Sequence, residues 1–324
     1  MVAQTAAAPA TKEPLHLVQS IPMPGVQGKF DHSAADVKGM RLFVAGAGNK
    51  TLEVLDLKTG KWTKRIPGFG KPQGLAYVAE FNKLFVSDGE AGDVKVFAGD
   101  SLALTDTIKL SADADYVSYD AVGKLLYVAH GGADAGHEWG EIAVIDPATN
   151  KVLSNIRVAG HPEAFVFERG GARMLVNIPD ANHVAVIDRD KRAVISTWAI
   201  SEARKNVPMA LDEANHRLFV GCRTGSKMLV LDSQTGKTIA SLPSVGGADD
   251  MSWDAERKRV YLSGGEGAVS VYGTKAPDSY TEIAKVVTAS GAKTSLFVPE
   301  LGRFYIAVPQ QGSKPAELRI FEVQ

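Results

Sequence analysis

Apolar and polar residues alternate along this chain in short runs that recur roughly every 42 to 48 residues, seven times, from Phe30 to Gln324. Each copy contains an alternating stretch, a turn, a Leu-Phe-Val-like run, a polar loop and a Val-Ile-Asp-like run. A period in this range, with several period-2 segments per unit, is typical of radially stacked sheets rather than of a helical solenoid. The pattern therefore predicts an all-β fold, a seven-bladed β-propeller with four-stranded antiparallel blades.

The two ends of the chain are predicted to meet in one blade. The last copy ends after its third strand, Glu317 to Val323, and so lacks a fourth strand. The segment Leu15 to Pro22 (LHLVQSIP) resembles the fourth strands of other copies, such as Val152 to Val158. We expect this N-terminal strand to close the last blade, because an open sheet edge favours aggregation. The residues before it lack periodicity, which predicts a flexible leader over residues 1–13 and a single propeller domain over residues 14–324.

Composition narrows the classes of function and location. The net charge of −1 comes from well-mixed signs with no basic stripe, which argues against nucleic acid as a partner. The longest apolar runs have the length of strands, so no membrane span is predicted. The single cysteine, Cys222, excludes an internal disulfide. The Ala-, Thr- and Pro-rich start resembles the flank of a signal-peptidase site, which predicts a periplasmic or secreted protein.

The repeats resemble those of a known group of propellers. The segments LFVAGAGNKTLEVLDLKTGK, LYVAHGG with GEIAVIDPATNK, and MLVNIPDANHVAVIDRDKR are similar to the second and third strands of the YVTN/YncE-like family of seven-bladed propellers. The resemblance covers essentially the whole chain and implies the fold; many members are exported in bacteria, which also implies export. Lactonase-type propellers look similar and imply a possible hydrolase, but no catalytic motif can be transferred residue by residue.

One polar column is predicted at the mouth of the central channel. Each copy has an equivalent residue that lies thirteen positions before the end of its second apolar run. Six of these seven residues are polar. The seven are Asp31, Gln73, Asp115, Glu163, Val207, Asp249 and Lys293. Loops that lead into first strands share one face of a propeller, so we expect these residues to form a ring and the polar ones to bind a ligand. The next column adds His32, Tyr116 and Asp250; the alternative is that the ring only solvates the channel.

The third copy has an enlarged loop between its second and third strands. The loop, HGGADAGHEWGE, runs from His130 to Glu141. Loops that outgrow a regular scaffold often carry binding groups. The loop offers two imidazoles, a carboxylate and an aromatic ring as candidate binding groups, from His130, His137, Glu138 and Trp139. The alternative is a flexible surface loop.

Histidines are concentrated on the same predicted face. Five of the seven fall in loops that open there. They are His32, His130, His137, His161 and His183. Neutral imidazoles together with carboxylates suit zinc or copper. His32, His130, His137 and His161 are therefore the predicted ligands of a divalent metal ion. Lysines that approach this face would instead favour an anionic ligand; they are Lys29, Lys71, Lys205 and Lys293.

These observations favour a binding protein that uses the His-rich and acidic face for a small ligand, a metal ion or a protein partner. One alternative is a metal-dependent hydrolase or lyase, similar to a lactonase, in which the metal polarises a carbonyl or activates water while Glu163 or Asp249 acts as the base. Another is a protein-interaction scaffold. There is no GxSxG elbow, so nucleophilic serine catalysis has no support.

Overall fold

A computed structural model describes residues 13–276 and 278–324 of the chain. In these residues the strands form seven sheets, each with four antiparallel strands. This confirms the predicted all-β seven-bladed propeller. We number the blades 1 to 7 in chain order and call the first strand of each blade its inner strand. The predicted leader lies outside the described residues, apart from Glu13.

Blades 1 to 3 each use four consecutive strands. Blade 1 consists of β2 (Ser33–Asp36), β3 (Arg41–Gly46), β4 (Thr51–Asp56) and β5 (Lys61–Ile66). Blade 2 consists of β6 (Pro72–Val78), β7 (Lys83–Asp88), β8 (Asp93–Ala98) and β9 (Leu104–Lys109). Blade 3 consists of β10 (Val117–Asp120), β11 (Leu125–Gly131), β12 (Gly140–Asp146) and β13 (Lys151–Val158).

Blades 4 to 6 repeat this arrangement. Blade 4 consists of β14 (Phe165–Phe167), β15 (Arg173–Ile178), β16 (His183–Asp188) and β17 (Ala193–Ala199). Blade 5 consists of β18 (Arg204–Asp212), β19 (Arg217–Thr224), β20 (Lys227–Asp232) and β21 (Thr238–Pro243). Blade 6 consists of β22 (Ala248–Asp254), β23 (Arg259–Gly264), β24 (Ala268–Ala276) and β25 (Ser279–Val287).

Blade 7 joins the two ends of the chain. It consists of β26 (Ser295–Val298), β27 (Arg303–Val308), β28 (Ala316–Val323) and β1 (Leu15–Met23). Two 3-10 helices interrupt the strands, at Ala133–Ala135 and Pro299–Leu301. Among the described residues, no helix has the length and apolar character needed to cross a bilayer.

The predicted closure by the N-terminal strand is confirmed. Strand β1 pairs antiparallel with β28, so that Leu15 lies opposite Val323 and Met23 lies opposite Ala316. Beyond the strands, the backbone N–H of Gln324 donates to the carbonyl oxygen of Pro14 at 3.1 Å. The first and last residues of the propeller are therefore held in one sheet.

Apolar side chains form seven buried clusters in the described part of the chain, and each cluster joins two neighbouring blades. The cluster between blades 7 and 1 contains Ile21 and Met23 of β1 together with Leu42 and Val44 of β3. The second strands are covered on both faces, which explains why they are continuous apolar runs. Because the clusters link the blades in a cycle, packing as well as strand pairing closes the ring.

Tight turns connect the first and second strands on the face away from the predicted site. The residue before the second strand has a positive φ at Met40 (53°) and Asn82 (49°). In blade 1 the carboxylate of Asp36 accepts the N–H of Gly39 at 2.9 Å and pairs with Arg41 at 2.6 Å. These short turns fix the direction of each inner strand, so the loops leading into the inner strands all open on the other face.

The closing strand offers a test of the fold. Leu15 is 1% exposed, whereas Leu17 in the same strand is 46% exposed. We expect Leu15→Ala to lower the free energy of unfolding by about 2–5 kcal/mol, because it leaves a cavity between blades 6 and 7. Leu17→Ala is the matched control and should change it by less than about 0.5 kcal/mol. Thermal unfolding of both variants measures this; equal losses would contradict the assigned role of β1.

Candidate functional site

A cavity of about 200 Å³ opens on the face where the inner strands begin. All seven residues of the predicted column line it, one from each blade. They are Asp31, Gln73, Asp115, Glu163, Val207, Asp249 and Lys293. The propeller therefore brings together residues that are far apart in the sequence. Their role in binding a ligand stays a prediction.

The cavity is densely charged. Among the described residues that line it, six are acidic, four are Lys or Arg, and two are histidines. The acidic residues are Asp31, Asp113, Asp115, Asp134, Glu163 and Asp249. The basic residues are Lys29, Lys71, Arg223 and Lys293, and the histidines are His32 and His161. So many charges in so small a space must be paired with one another or with a bound ion.

Asp249 is fully engaged by two cations. One carboxylate oxygen accepts from the guanidinium of Arg223, and the other lies 2.6 Å from the ammonium of Lys293. Burial lowers the pKa of Lys293, although the nearby carboxylates oppose this shift. Because both of its oxygens are in ion pairs, Asp249 is poorly placed to act as a general base.

His32 precedes β2 and is fixed by a carboxylate from blade 6. Its Nδ1 lies 3.0 Å from Oδ1 of Asp250, and its Nε2 lies 3.7 Å from Oδ1 of Asp31. Burial by itself would lower the pKa of His32, but the charge and hydrogen bond of Asp250, with Asp31 and Asp115, raise it to about 10. In the absence of a bound ion, the His32 imidazole is therefore protonated at neutral pH.

His161 precedes β14 and has a similar arrangement. Its Nδ1 lies 2.8 Å from the carbonyl oxygen of Gly131, so this nitrogen carries a hydrogen. Its Nε2 lies 3.8 Å from Oδ2 of Asp115 and is buried without a hydrogen-bond partner in the described part of the chain. Burial would lower the pKa of His161, but Asp115 and then Asp113 raise it to about 9.

Asp115 is the carboxylate that both histidines share. Burial acts to raise its pKa, but His161 and His32 together hold it below its usual range. Oxygen and nitrogen atoms of Asp31, His32 and Asp115 lie within 4.8 Å of one another. Those of Asp113, Asp115 and His161 do so as well. Either group has the donor types that bind zinc or copper.

Two other carboxyl groups are easier to protonate. Asp31 is 8% exposed, and its burial raises its pKa. Burial, followed by repulsion from Asp115, raises the pKa of Glu163 to about 7. A cation in the cavity would favour the ionised form of both groups.

His130 does not line this cavity, although it was predicted as a metal ligand. The second strand of blade 3, β11, continues through Gly131, so His130 lies within the sheet, opposite Glu141, and not in a loop. It is 2% exposed, and its Nδ1 lies 2.7 Å from Oγ of Ser111. Burial lowers the pKa of His130, which favours a neutral, structural imidazole.

The other predicted residues of the enlarged loop also lie away from the cavity. The ring of Trp139 stacks on His137, with centroids 4.3 Å apart, and contacts the guanidinium of Arg157 at 4.4 Å. Arg157 belongs to β13, the outer strand of blade 3, so these rings fold outward. Glu138 is exposed. From the turn of this loop it is Asp134 that lines the cavity.

Tyr116 and Asp250 support the cavity from behind. The ring of Tyr116 meets His32 edge to face at 5.2 Å and Phe165 at 4.9 Å. It lines a second cavity at the other end of the channel. Asp250 binds His32, and its second oxygen accepts the N–H of Ser295 at 2.8 Å. Both residues therefore act on the site through His32.

Asp113, Asp134 and Arg223 line the cavity but were not predicted from the sequence. Asp113 belongs to a second column, two positions before the first, in which five of the seven residues are charged or His. The five are Lys29, Lys71, Asp113, His161 and Lys205. This spacing could have identified Asp113. Arg223 lies near the end of β19, where no repeat pattern distinguishes it.

Comparison with curated proteins identifies distant relatives. No protein-family model matches the chain. It is 22% identical over 262 residues to the uncharacterized protein YncE of Salmonella typhimurium, which covers 79% of this chain and 67% of YncE. It is 21% identical over 240 residues to Antigen Lp49 of Leptospira interrogans, covering 70% of this chain and 51% of that protein. The chain thus spans about half the length of Lp49 and about two thirds of YncE.

Solved structures share the architecture. A chain of the mitotic checkpoint complex superimposes with a TM-score of 0.76 at 13% identity, covering 100% of this chain and 98% of the other. A chain of the hydrazine synthase of Kuenenia stuttgartiensis gives a TM-score of 0.78 at 18% identity, covering 98% and 100%. At such identities the likeness establishes the fold alone. By its fold the chain is a seven-bladed propeller, and by sequence it is distantly similar to YncE.

Proposed function

We propose that this propeller binds a divalent transition metal ion, zinc or copper, in the cavity of about 200 Å³ described above, which we call the axial cavity. The ligands would come from the two groups that share Asp115: Nε2 of His32 with the carboxylate of Asp31 in one, and Nε2 of His161 in the other. One observation carries the proposal: two histidines from separate blades are oriented in the same way, with Nδ1 held by an acceptor and Nε2 facing a carboxylate.

This orientation is the one that metal-binding histidines adopt. A ligating histidine nearly always gives its other ring N–H to a carboxylate or a backbone carbonyl, which fixes the ring. Asp250 does this for His32, and the carbonyl group of Gly131 does it for His161. The unpartnered Nε2 of His161 supports the proposal further, because buried polar atoms without partners are rare.

The charge of the cavity supports a divalent ion specifically. When all six carboxylates are ionised, they leave two negative charges uncompensated by the four Lys and Arg side chains among the described lining residues. In the metal-free protein, protons on His32 and His161 offset this charge, and the raised pKa values of Glu163 and Asp31 reduce it further. An M²⁺ ion that displaces the two imidazole protons leaves the net charge unchanged, so binding would exchange protons for a metal ion.

A bound metal would give the cavity a ligand-binding role. Two imidazoles and one or two carboxylates leave room for an exogenous ligand in a four- or five-coordinate site. The hydrolase or lyase alternative needs the same metal, so the metal test comes before any test of turnover. The periplasmic or secreted location stays a prediction, and the proposed binding role does not depend on it.

Calorimetric titration of metal-free protein with zinc and copper tests the proposal. We expect one ion per chain and a higher affinity at about pH 9 than at about pH 6, because protons on His32 and His161 compete with the metal. Repeating the titration in buffers with different ionisation enthalpies should reveal about two protons released per ion at about pH 7 from the histidines, and a further fraction from Glu163.

Variants locate the site. His161→Ala should lower the affinity at least about tenfold, because it removes a ligand nitrogen. His137→Ala is the matched control and should bind as the wild type does, since its ring stacks on Trp139 outside the cavity. Failure of the wild-type protein to bind either metal, or equal affinities for the two variants, would refute the proposed site.

The assigned role of Asp250 predicts how stability depends on pH. The folded-state pKa of His32 is raised to about 10, so the His32–Asp250 pair stabilises the metal-free protein fully below about pH 6.5 and loses its effect as the pH rises through about 10. Asp250→Asn should therefore lower the thermal midpoint more at about pH 6.5 than at about pH 10.5. A difference that is independent of pH would show that Asp250 does not hold a charged His32.

A further inference from the structure

A second cavity, of about 620 Å³, opens at the opposite end of the channel, where the inner strands end. Aromatic side chains from four blades line it at the same repeat position, four residues after the polar column of Asp31 and its equivalents, which we call the charged column. They are Tyr119, Phe167, Trp253 and Phe297. Tyr116 and Phe165 also contribute to its wall. The repeat thus places an aromatic column at this end of the channel.

This aromatic cavity is also acidic. Within the described part of the chain, five acidic residues line it against one basic residue, Arg169. Three of these carboxylates are paired with arginines. Asp120 pairs with Arg189. Asp254 and Glu256 pair with Arg257 at 3.3 and 3.2 Å. These three are engaged by the protein's own cations and are not assigned to a ligand.

Two neighbouring carboxylates have neutral hydrogen-bond donors instead. Asp212 accepts from the side-chain amide of Asn215 at 2.7 Å. Glu213 accepts the backbone N–H groups of Arg169 and Gly170 at 3.0 and 2.7 Å. Neither has a Lys or Arg nitrogen within 4.0 Å among the residues that the structure describes. Both carboxylates line the cavity: Glu213 is half-buried and lies near the charges of Arg169 and Arg189, and Asp212 is buried at 5% exposure.

The position of these carboxylates places them beside aromatic rings. Asp212 ends β18 in blade 5, between the blades that carry Phe167 and Trp253. One face of Trp253 stacks on Phe219, with centroids 5.3 Å apart, which holds the indole in place. Carboxylates next to aromatic rings attract ammonium groups, by charge and by cation–π interaction.

We propose that this second cavity binds a small organic cation, an ammonium group attached to an apolar body. Asp212 and Glu213 would neutralise the ammonium, while the aromatic column would cover its methyl or methylene groups. The cavity is about 620 Å³, within the range of small-molecule sites. This inference is independent of the metal proposed at the other end, because the two sets of residues do not overlap.

Calorimetry on the full-length, metal-free protein tests this with two probes of nearly equal shape: choline and its neutral isostere 3,3-dimethylbutan-1-ol. We expect choline to bind saturably in the millimolar range and at least about tenfold more tightly than the isostere. The double variant Asp212→Asn with Glu213→Gln should remove this preference, whereas Trp253→Leu should weaken the binding of both probes. The metal-site variant His161→Ala should leave choline binding unchanged.

Thermal unfolding checks that the variants fold. If the double variant is unstable, two other measurements replace it: choline binding to Glu213→Gln, and the salt dependence of binding to the wild type. The affinity for choline must fall as ionic strength rises, whereas the affinity for the isostere must not change. Equal affinities for the two probes, no saturable binding of choline at millimolar concentration, or unchanged choline binding in a folded charge variant would each overturn the proposal.

Discussion

Closure of the ring is the constraint on which the rest of this structure depends. Strand β1 supplies the fourth strand of blade 7, and the cluster around Ile21 and Met23 ties that blade to blade 1. Every residue of the charged column comes from a different blade, so the axial cavity exists only while all the blades converge on one axis. The site therefore has no local motif, and its chemistry is a property of the closed ring.

Within that ring, electrostatics limits what the axial cavity can hold. Six carboxylates in about 200 Å³ need compensation, and Asp249 obtains it internally from Arg223 and Lys293. Asp115 and Asp31 are compensated by the imidazoles of His32 and His161, and these carboxylates contribute to the raised pKa values of the two histidines. The excess of carboxylates over Lys and Arg side chains, with Asp250 beside His32, is thus the physical cause of the raised pKa values of His32 and His161.

The repeat made the architecture and the charged column predictable, because equivalent residues in equivalent blades must occupy equivalent places. It failed where one blade departs from the others. His130 was expected in a loop, but β11 extends past it, and a longer strand leaves no trace in the repeat spacing. The rings of His137 and Trp139 turn outward because Arg157 offers a stacking partner on the outer strand. Arg223 reaches the cavity from a strand end, which no spacing rule could have indicated.

The two ends of the channel are chemically different, and a single aromatic residue lies between them. Tyr116 meets His32 on one side and lines the aromatic cavity on the other. Its ring also meets Phe165 edge to face at 4.9 Å, so it packs between the two sites. The ring of Tyr116 is thus the one described contact through which ligands bound at the two ends would influence each other. Thermodynamic linkage would make such an influence reciprocal: a ligand that changed the affinity for the ion would have its own affinity changed by the same factor.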